Sequence, residues 1–369
     1  MKKKPKGTTI FNIVVILFSM GMLVYFAFSE DGLMNLVYQV KGFDQRWLWF
    51  ALGFMLMNYL ADIILTQLFI RVPYPKYRFR SALKVAMAGQ FYNSVTPYGV
   101  AGKPMQIVAL NRQGVDVGSA SSAMVQKFLV YQATLSVYSL VMLLCRYAFF
   151  RNQISDLMFL TIIAFVFQAG IIVLLLIFSY SKRLTRTILD LFFLLMKKLH
   201  LVKNPEQTMK NIEEQLELYH QNCKEIQKHG WLMVSSTLLT VLQLTCYYLI
   251  PYCIYRCFYL DDYTAFDLIA AQAFVSMVSS YMPTPGGTGA AEGSFVVMFG
   301  VFFQGSVKSA MVLWRVFTYY FTILISAPFS AVGKKKGTLR GEPGRQPQSE
   351  PVAADPAEPI PQTMAKKES

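Results

Sequence analysis

Six stretches of this chain are apolar over roughly the 20 residues that a helix needs to cross a bilayer: 10–28, 47–70, 120–145, 157–179, 231–257 and 310–331. One or two water-soluble cores cannot hide that many such runs. Of the 369 residues, 54% are hydrophobic and only 15% charged, where a soluble domain carries about a quarter charged residues. An ordinary cytosolic enzyme, a secreted disulfide scaffold and a disordered chain are excluded. The expected class is an all-α polytopic membrane protein with about six full crossings. The first run, after Met1-Lys2-Lys3-Lys4-Pro5-Lys6-Gly7, is too long for a signal peptide and lacks a small-residue cleavage pattern, so it reads as an uncleaved first helix.

The net charge of +14 would suggest nucleic acid in a soluble protein. Here its placement says otherwise. Lys2, Lys3, Lys4 and Lys6 precede the first run, and Lys334, Lys335 and Lys336 follow the last. Arg71, Lys76, Arg78, Arg80 and Lys84, then Arg112, then Lys182, Arg183 and Arg186 fall in the alternate loops that become cytoplasmic if both termini are. No nucleic-acid partner is expected, and the location expected is a bacterial plasma membrane, multi-pass, with both termini cytoplasmic. Cys145, Cys223, Cys246, Cys253 and Cys257 form no CxxC pair, so no metal site or cofactor is expected.

The domain division expected is an integral membrane unit over 1–332 and a disordered cytoplasmic tail over 333–369, rich in Pro, Gln, Glu, Ala and Lys. That tail leaves no room for a soluble catalytic domain after the last crossing. Within the membrane unit, Met209, Ile212, Leu216, Tyr219, Cys223 and Ile226 recur at spacings of three and four, which predicts a cytoplasmic amphipathic helix over about 204–229. Packing within the protein, lying on the membrane surface and pairing with a partner all remain open for it. His200, His220 and His229 are assigned no role.

Two further apolar stretches, 81–112 and 266–303, are broken by proline and glycine: Ser94-Val95-Thr96-Pro97-Tyr98-Gly99-Val100-Ala101-Gly102-Lys103-Pro104, and Met282-Pro283-Thr284-Pro285-Gly286-Gly287-Thr288-Gly289-Ala290-Ala291-Glu292. Thr96-Pro97-Tyr98-Gly99 aligns with Thr284-Pro285-Gly286-Gly287 as a weak internal repeat. Each flanking half is too short to span at 1.5 Å per residue, so each stretch is expected to be a re-entrant hairpin of two half-helices. With three crossings between them, one hairpin enters from each side, the pattern of an inverted repeat. Irregular backbone at membrane depth is tolerated only where protein buries it or it lines a wet cavity. The two loops are therefore expected to meet near the midplane, their half-helix N-termini suited to an anionic group. Plain kinks with close helix packing are the alternative.

Asp62, Lys103, Lys127, Glu292 and Arg315 lie in apolar stretches, where each costs about 2.5–3.5 kcal/mol on insertion scales. Glu292 sits three residues after Gly289, where it would also cap a half-helix. Lys103 stands at the positive end of its own half-helix, a place that calls for an anion: a bound phosphate, or a fixed partner in Glu292 or Asp62. Arg315 could snorkel to the outer interface and Lys127 to the inner one. The candidate binding residues are Lys103, Glu292, Arg315, Lys127, Asn93, Gln106, Thr96 and Thr284. The loop-forming ones are Pro97, Gly99, Gly102, Pro285, Gly286, Gly287 and Gly289.

Gly89-Gln90-Phe91-Tyr92-Asn93-Ser94-Val95-Thr96-Pro97, Gly102-Lys103-Pro104-Met105-Gln106, Pro283-Thr284-Pro285-Gly286-Gly287-Thr288-Gly289 with Glu292-Gly293, and Arg315 before Tyr319-Tyr320 resemble the membrane region of the lysylphosphatidylglycerol synthase and flippase family. The similarity covers about residues 8–332. The resemblance implies movement of aminoacylated phosphatidylglycerol to the outer leaflet, which protects against cationic peptides. It also implies a soluble transferase domain, using lysyl-tRNA, that this chain lacks.

Four functions follow as expectations. The first is a lipid translocase whose hairpins hold an anionic headgroup, with Lys103 and Arg315 on phosphate and Glu292 on a cationic or hydroxyl portion. The second is a lipid-modifying enzyme of the phosphatidylglycerol lysyltransferase type, although no HExxH, GxSxG or paired carboxylates supply catalytic residues. A small-solute secondary transporter and an assembly partner acting through the cytoplasmic helix are the others. The expected partners are a membrane phospholipid and a lipid-synthesising enzyme; oligomeric state is not readable.

Overall fold

The computed structural model describes residues 42–96, 99, 101–146, 158–187, 205–279 and 290–330. The expected first crossing at 10–28, the tail, Pro97, Thr284, Pro285, Gly286, Gly287 and Gly289 lie outside the described residues.

Among the described residues the secondary structure is helical, with no strand. Three long rods form the frame: α1 (Gln45–Arg71), α4 (Val117–Cys145), and α7 (Gly230–Tyr248) continuing into α8 (Ile250–Cys257). The break between α7 and α8 falls beside Pro251, which has no N–H to give to the carbonyl one turn back. Between these come α2 (Phe79–Val95), α3 (Gly102–Arg112), α5 (Met158–Tyr180) and α6 (Pro205–Lys228). After them come α9 (Ala265–Ser279), α10 (Ala290–Phe303), α11 (Val307–Arg315) and α12 (Phe321–Ser326). The rods α1, α4 and α7 pack on one another.

The distribution of side chains suits lipid as the outer solvent. Leu56, Leu60, Val137, Leu144, Val166, Val234 and Leu238 face outward, whereas Asp62, Thr66, Gln126, Lys127, Gln132 and Arg315 are buried. Small residues let the rods approach: Ala51, Ala82, Ala86, Ala120, Ala123 and Ala271 are fully enclosed, as expected where packing rather than hydrophobic exclusion joins helices. Four stretches are long and apolar enough to cross a membrane: Gln45–Arg71, Val117–Cys145, Gly230–Cys257 and Ala291–Phe329.

The last of these is not one straight rod. Phe295 and Trp314 stack with ring centroids 4.8 Å apart, where nineteen residues of continuous helix would separate them by about 28 Å. The chain folds back through the 3₁₀ turn Gln304–Ser306, with Gln304 at a φ of 47°. So α9 and α10 form a hairpin, and the return begins at α11, close to the crossing expected over 310–331. The other hairpin, α2 and α3, packs on α1, α4 and α12. Both pairs of arms match the half-helices expected from the sequence.

The amphipathic helix α6 coincides with the stripe expected over about 204–229. It packs within the protein, along the first turns of α4. Tyr219, Cys223 and Ile226 are buried, the Gly118 amide donates to Gln215 Oε1 at 2.7 Å, and Asn222 Nδ2 donates to Ser119 Oγ at 2.8 Å. Gly118 is required by the closeness: a Cβ there would collide with the Gln215 carbonyl. Lys182 after α5 bridges to Glu217 at 2.8 Å, and Arg186 pairs with Glu213.

Gly118→Val should lift α6 from α4 and speed amide hydrogen exchange across α6, with little change in α1. The Lys182 hydrogen bond holds the Glu217 carboxyl below its ordinary value. A depressed folded-state pKa stabilises above the unfolded value, so this contact is intact at neutral pH and is lost as pH falls through the lowered value. Exchange in α6 should rise selectively in acid, and Glu217→Gln should flatten that dependence.

Candidate functional site

Asp62 and Lys127 meet inside the bundle. Asp62 lies nine residues before the end of α1 at Arg71, and Lys127 ten residues after the start of α4 at Val117. Each is thus about 14 Å from the same end of the bundle, at 1.5 Å per residue. Their charges are 2.6 Å apart, with side chains only 7% and 4% exposed. The ammonium also donates to Thr66 Oγ1 at 2.7 Å and to the Asp62 carbonyl at 3.2 Å. Gln90 of α2 donates to the other carboxylate oxygen at 3.2 Å. The expectation that Lys127 snorkels to the interface is corrected: burial and a carboxylate partner hold it inside.

Lys103 approaches the same pair from the start of α3. It is half-buried, its ammonium 5.4 Å from the centroid of the Phe128 ring, and within electrostatic reach of Asp62 and Lys127. Among the described residues no carboxylate lies within ion-pair distance of it. Neither fixed partner expected for it, Asp62 or Glu292, closes a contact. Gln106, one turn along the same face of α3, is 2% exposed and packed against Gly89. Its Oε1 has no hydrogen-bond partner among the described residues.

The loop between α2 and α3 is held by its own residues. Thr96 Oγ1 donates to the Tyr92 carbonyl at 2.6 Å and accepts from the Ala101 amide at 3.3 Å. Its hydroxyl therefore joins the end of one half-helix to the start of the next. Gly99 turns the chain with a φ of 61°, a conformation costly to residues with a Cβ. Asn93 Oδ1 occupies the place that a Cβ on Gly102 would take, so glycine there lets Asn93 seat on the N-terminus of α3.

A second charge pair sits nearer the other end of the bundle. Glu292, in the first turn of α10, places Oε1 2.7 Å from Nε of Arg315 at the end of α11, with side chains 21% and 5% exposed. The guanidinium also lies over Trp314 and Tyr319, 5.0 and 5.5 Å from their centroids. Snorkelling of Arg315 to the outer interface is corrected by this enclosure. Immediately after Arg315 the helix widens into a π turn, Val316–Tyr320, a feature frequent at functional sites. From it Tyr319 donates to the Ser94 carbonyl at 3.3 Å. The start of α10, the second arm of that hairpin, is thereby linked through Arg315 and Tyr319 to the end of α2 in the first.

A family model described as the lysylphosphatidylglycerol synthase TM region matches residues 10–326. This chain belongs to that family. A curated relative, a UPF0104 membrane protein of Archaeoglobus fulgidus, is 25% identical over 301 residues, covering 76% of this chain and 85% of its own length. The matched span runs through both hairpins and both charge pairs.

In this family member the structure gathers Lys103, Lys127, Asn93, Gln106 and Thr96 around one hairpin, and Glu292 with Arg315 beside the other. Sequence reading missed Thr66 and Phe128; it marked Gln90 only as an uncharged hydrogen-bonding group near the first loop, without its bond to Asp62, and Tyr319 only as an aromatic after Arg315, without its bond to the first hairpin. Asp62 was marked by its charge, but its partner was not. Tyr131, within electrostatic reach of Asp62 and Tyr247, and Tyr247, within electrostatic reach of Arg315, connect the surroundings of the two pairs. A tyrosine in an apolar run carries no signal of such a position, because it packs equally well as core.

Removing one partner of a buried ion pair costs about 3–5 kcal/mol, whereas replacing both is far cheaper. Lys127→Met should therefore lower thermal stability in detergent much more than Asp62→Asn/Lys127→Met; equal losses would show that the pair is not dry.

Proposed function

We propose that this chain is a carrier of anionic membrane lipid, moving the headgroup between leaflets through the space between its two hairpins. The bilayer is a bacterial plasma membrane, with both termini cytoplasmic. The observation that carries the reading is Lys103: a half-buried cation at the positive end of a half-helix, next to a lysine already paired, with no carboxylate of its own among the described residues. Such a charge inside an apolar bundle favours an anionic visitor, and a phosphate group supplies one.

Three further features support it. The hairpins enter from opposite ends of the bundle, the arrangement of carriers that expose one site alternately. Arg315 and Glu292 offer the second hairpin a cation and a carboxylate, suited to a phosphate and to a hydroxyl or ammonium portion respectively. The family's name refers to lysylphosphatidylglycerol, which makes phosphatidylglycerol and its aminoacyl form the first substrates to examine, a lipid-synthesising enzyme a natural partner, and resistance to cationic peptides a physiological readout.

Proteoliposomes carrying headgroup-labelled phosphatidylglycerol or lysyl-phosphatidylglycerol should show leaflet exchange that depends on the protein. Lys103→Ala and Glu292→Gln should each reduce exchange to the protein-free rate while leaving the protein folded and inserted. Wild-type exchange in both variants would remove the hairpins from the transport path.

A further inference from the structure

We propose that Phe128 is a positioning residue for Lys103: the face of its ring seats the ammonium at the start of α3 and leaves the other side of that cation open to an anionic group. The role rests on the reading of Lys103 as a headgroup ligand and adds what holds that ligand in place. Consecutive residues of α4 act on charge in different ways. Lys127 is closed on the Asp62 carboxylate at 2.6 Å and donates to Thr66 at 2.7 Å. Phe128, the next residue, receives a cation instead: the Lys103 ammonium lies 5.4 Å from the centroid of its ring, within the roughly 6 Å over which a ring face attracts a positive charge.

The ring does not serve the core. Phe128 is half-buried and belongs to none of the hydrophobic clusters among the described residues. Its neighbour fixes its place, because the ion pair to α1 holds that turn of α4. With α3 packed on α4, the second residue of α3 reaches the ring. A cation at the N-terminus of a helix is opposed by the helix dipole, and the negative face of an aromatic ring offsets part of that cost.

A ring suits a ligand-binding cation better than a carboxylate does. A carboxylate takes up the N–H groups of an ammonium and cancels its charge, so an incoming anion has to break an ion pair. A ring face attracts the ammonium and leaves its formal charge standing. It also narrows the positions that the flexible lysine stem samples. The same seat therefore stabilises the empty carrier and keeps the cation available.

The test replaces Phe128 in the full-length protein by phenylalanines bearing one, two and three fluorines, which drain negative potential from the ring face while nearly preserving its size. Headgroup-labelled phosphatidylglycerol is titrated onto each in nanodiscs of zwitterionic lipid. The half-saturating concentration should rise with each fluorine, by about threefold to tenfold with three, the scale of one partly desolvated cation–π contact. The maximal rate of leaflet exchange in proteoliposomes should stay unchanged. Phe128→Leu should weaken binding by about tenfold, and Phe128→Tyr, which keeps the ring, should recover most of that loss. Phe128→Glu, which closes Lys103 on a carboxylate, should abolish binding. Without added lipid, the thermal midpoint in detergent should fall along the fluorine series, and the series should be flat in Lys103→Gln.

A flat binding series, or one in which fluorine tightens binding, overturns the role of Phe128 while Lys103 stands, provided that Lys103→Ala binds more weakly than wild type. Wild-type binding by Lys103→Ala, or no binding by wild type, overturns the reading of Lys103 and the seat with it. A midpoint series as steep in Lys103→Gln as in wild type shows that fluorine acts on packing, and overturns the seat independently of any lipid.

Discussion

A carboxylate and an ammonium 2.6 Å apart in the interior of an apolar bundle tie α1 to α4, and the surrounding structure keeps that pair enclosed and fully bonded. Either charge alone would be costly in lipid. Together they are tolerable only with further hydrogen bonds, which Thr66 supplies from α1 and Gln90 from α2. The bond from Gln90 fixes the first hairpin against α1, and that placement brings Lys103 to the pair. Lys103 thus stands over Phe128, the neighbour of Lys127, beside a pair whose charges are already matched.

The two hairpins treat charge differently. The first carries the surplus cation. The second carries a matched pair, Glu292 with Arg315, backed by Trp314 and Tyr319. The contact linking Tyr319 to the first hairpin is a neutral hydrogen bond to the Ser94 carbonyl, and Tyr92 reaches the Ser330 carbonyl in the same way. Neutral bonds are easier to exchange than ion pairs. On the proposed reading, this leaves each hairpin rigid in itself and free to shift against the other, as alternating exposure requires.

Much of the frame was legible in the sequence. The apolar runs at 47–70, 120–145, 157–179 and 231–257 recur as helices with ends shifted by only a few residues, and both broken stretches recur as pairs of short helices. The stripe from Met209 to Ile226 recurs as α6. The fold-back at Gln304–Ser306 separates α10 from α11 within a stretch whose length and hydropathy alone resemble one crossing. The site was legible as a roster of residues rather than as an arrangement. Thr96 looked like a ligand and instead bonds its own loop; Lys127 and Arg315 had plausible routes to an interface and instead met carboxylates.

The sequence by itself determined the membrane class, the helical frame and the two interrupted segments, because these follow from local properties: the length of apolar runs, the missing amide of proline and the absent side chain of glycine. Only the tertiary structure decided that Asp62 belongs to Lys127, that Glu292 belongs to Arg315, and that Lys103 stands beside a pair already closed. Those outcomes depend on the depth and rotation of separate helices, and one residue of offset turns a side chain by about 100° around its helix. The position of Lys103 beside a closed pair is therefore a property of packing, which no local pattern encodes.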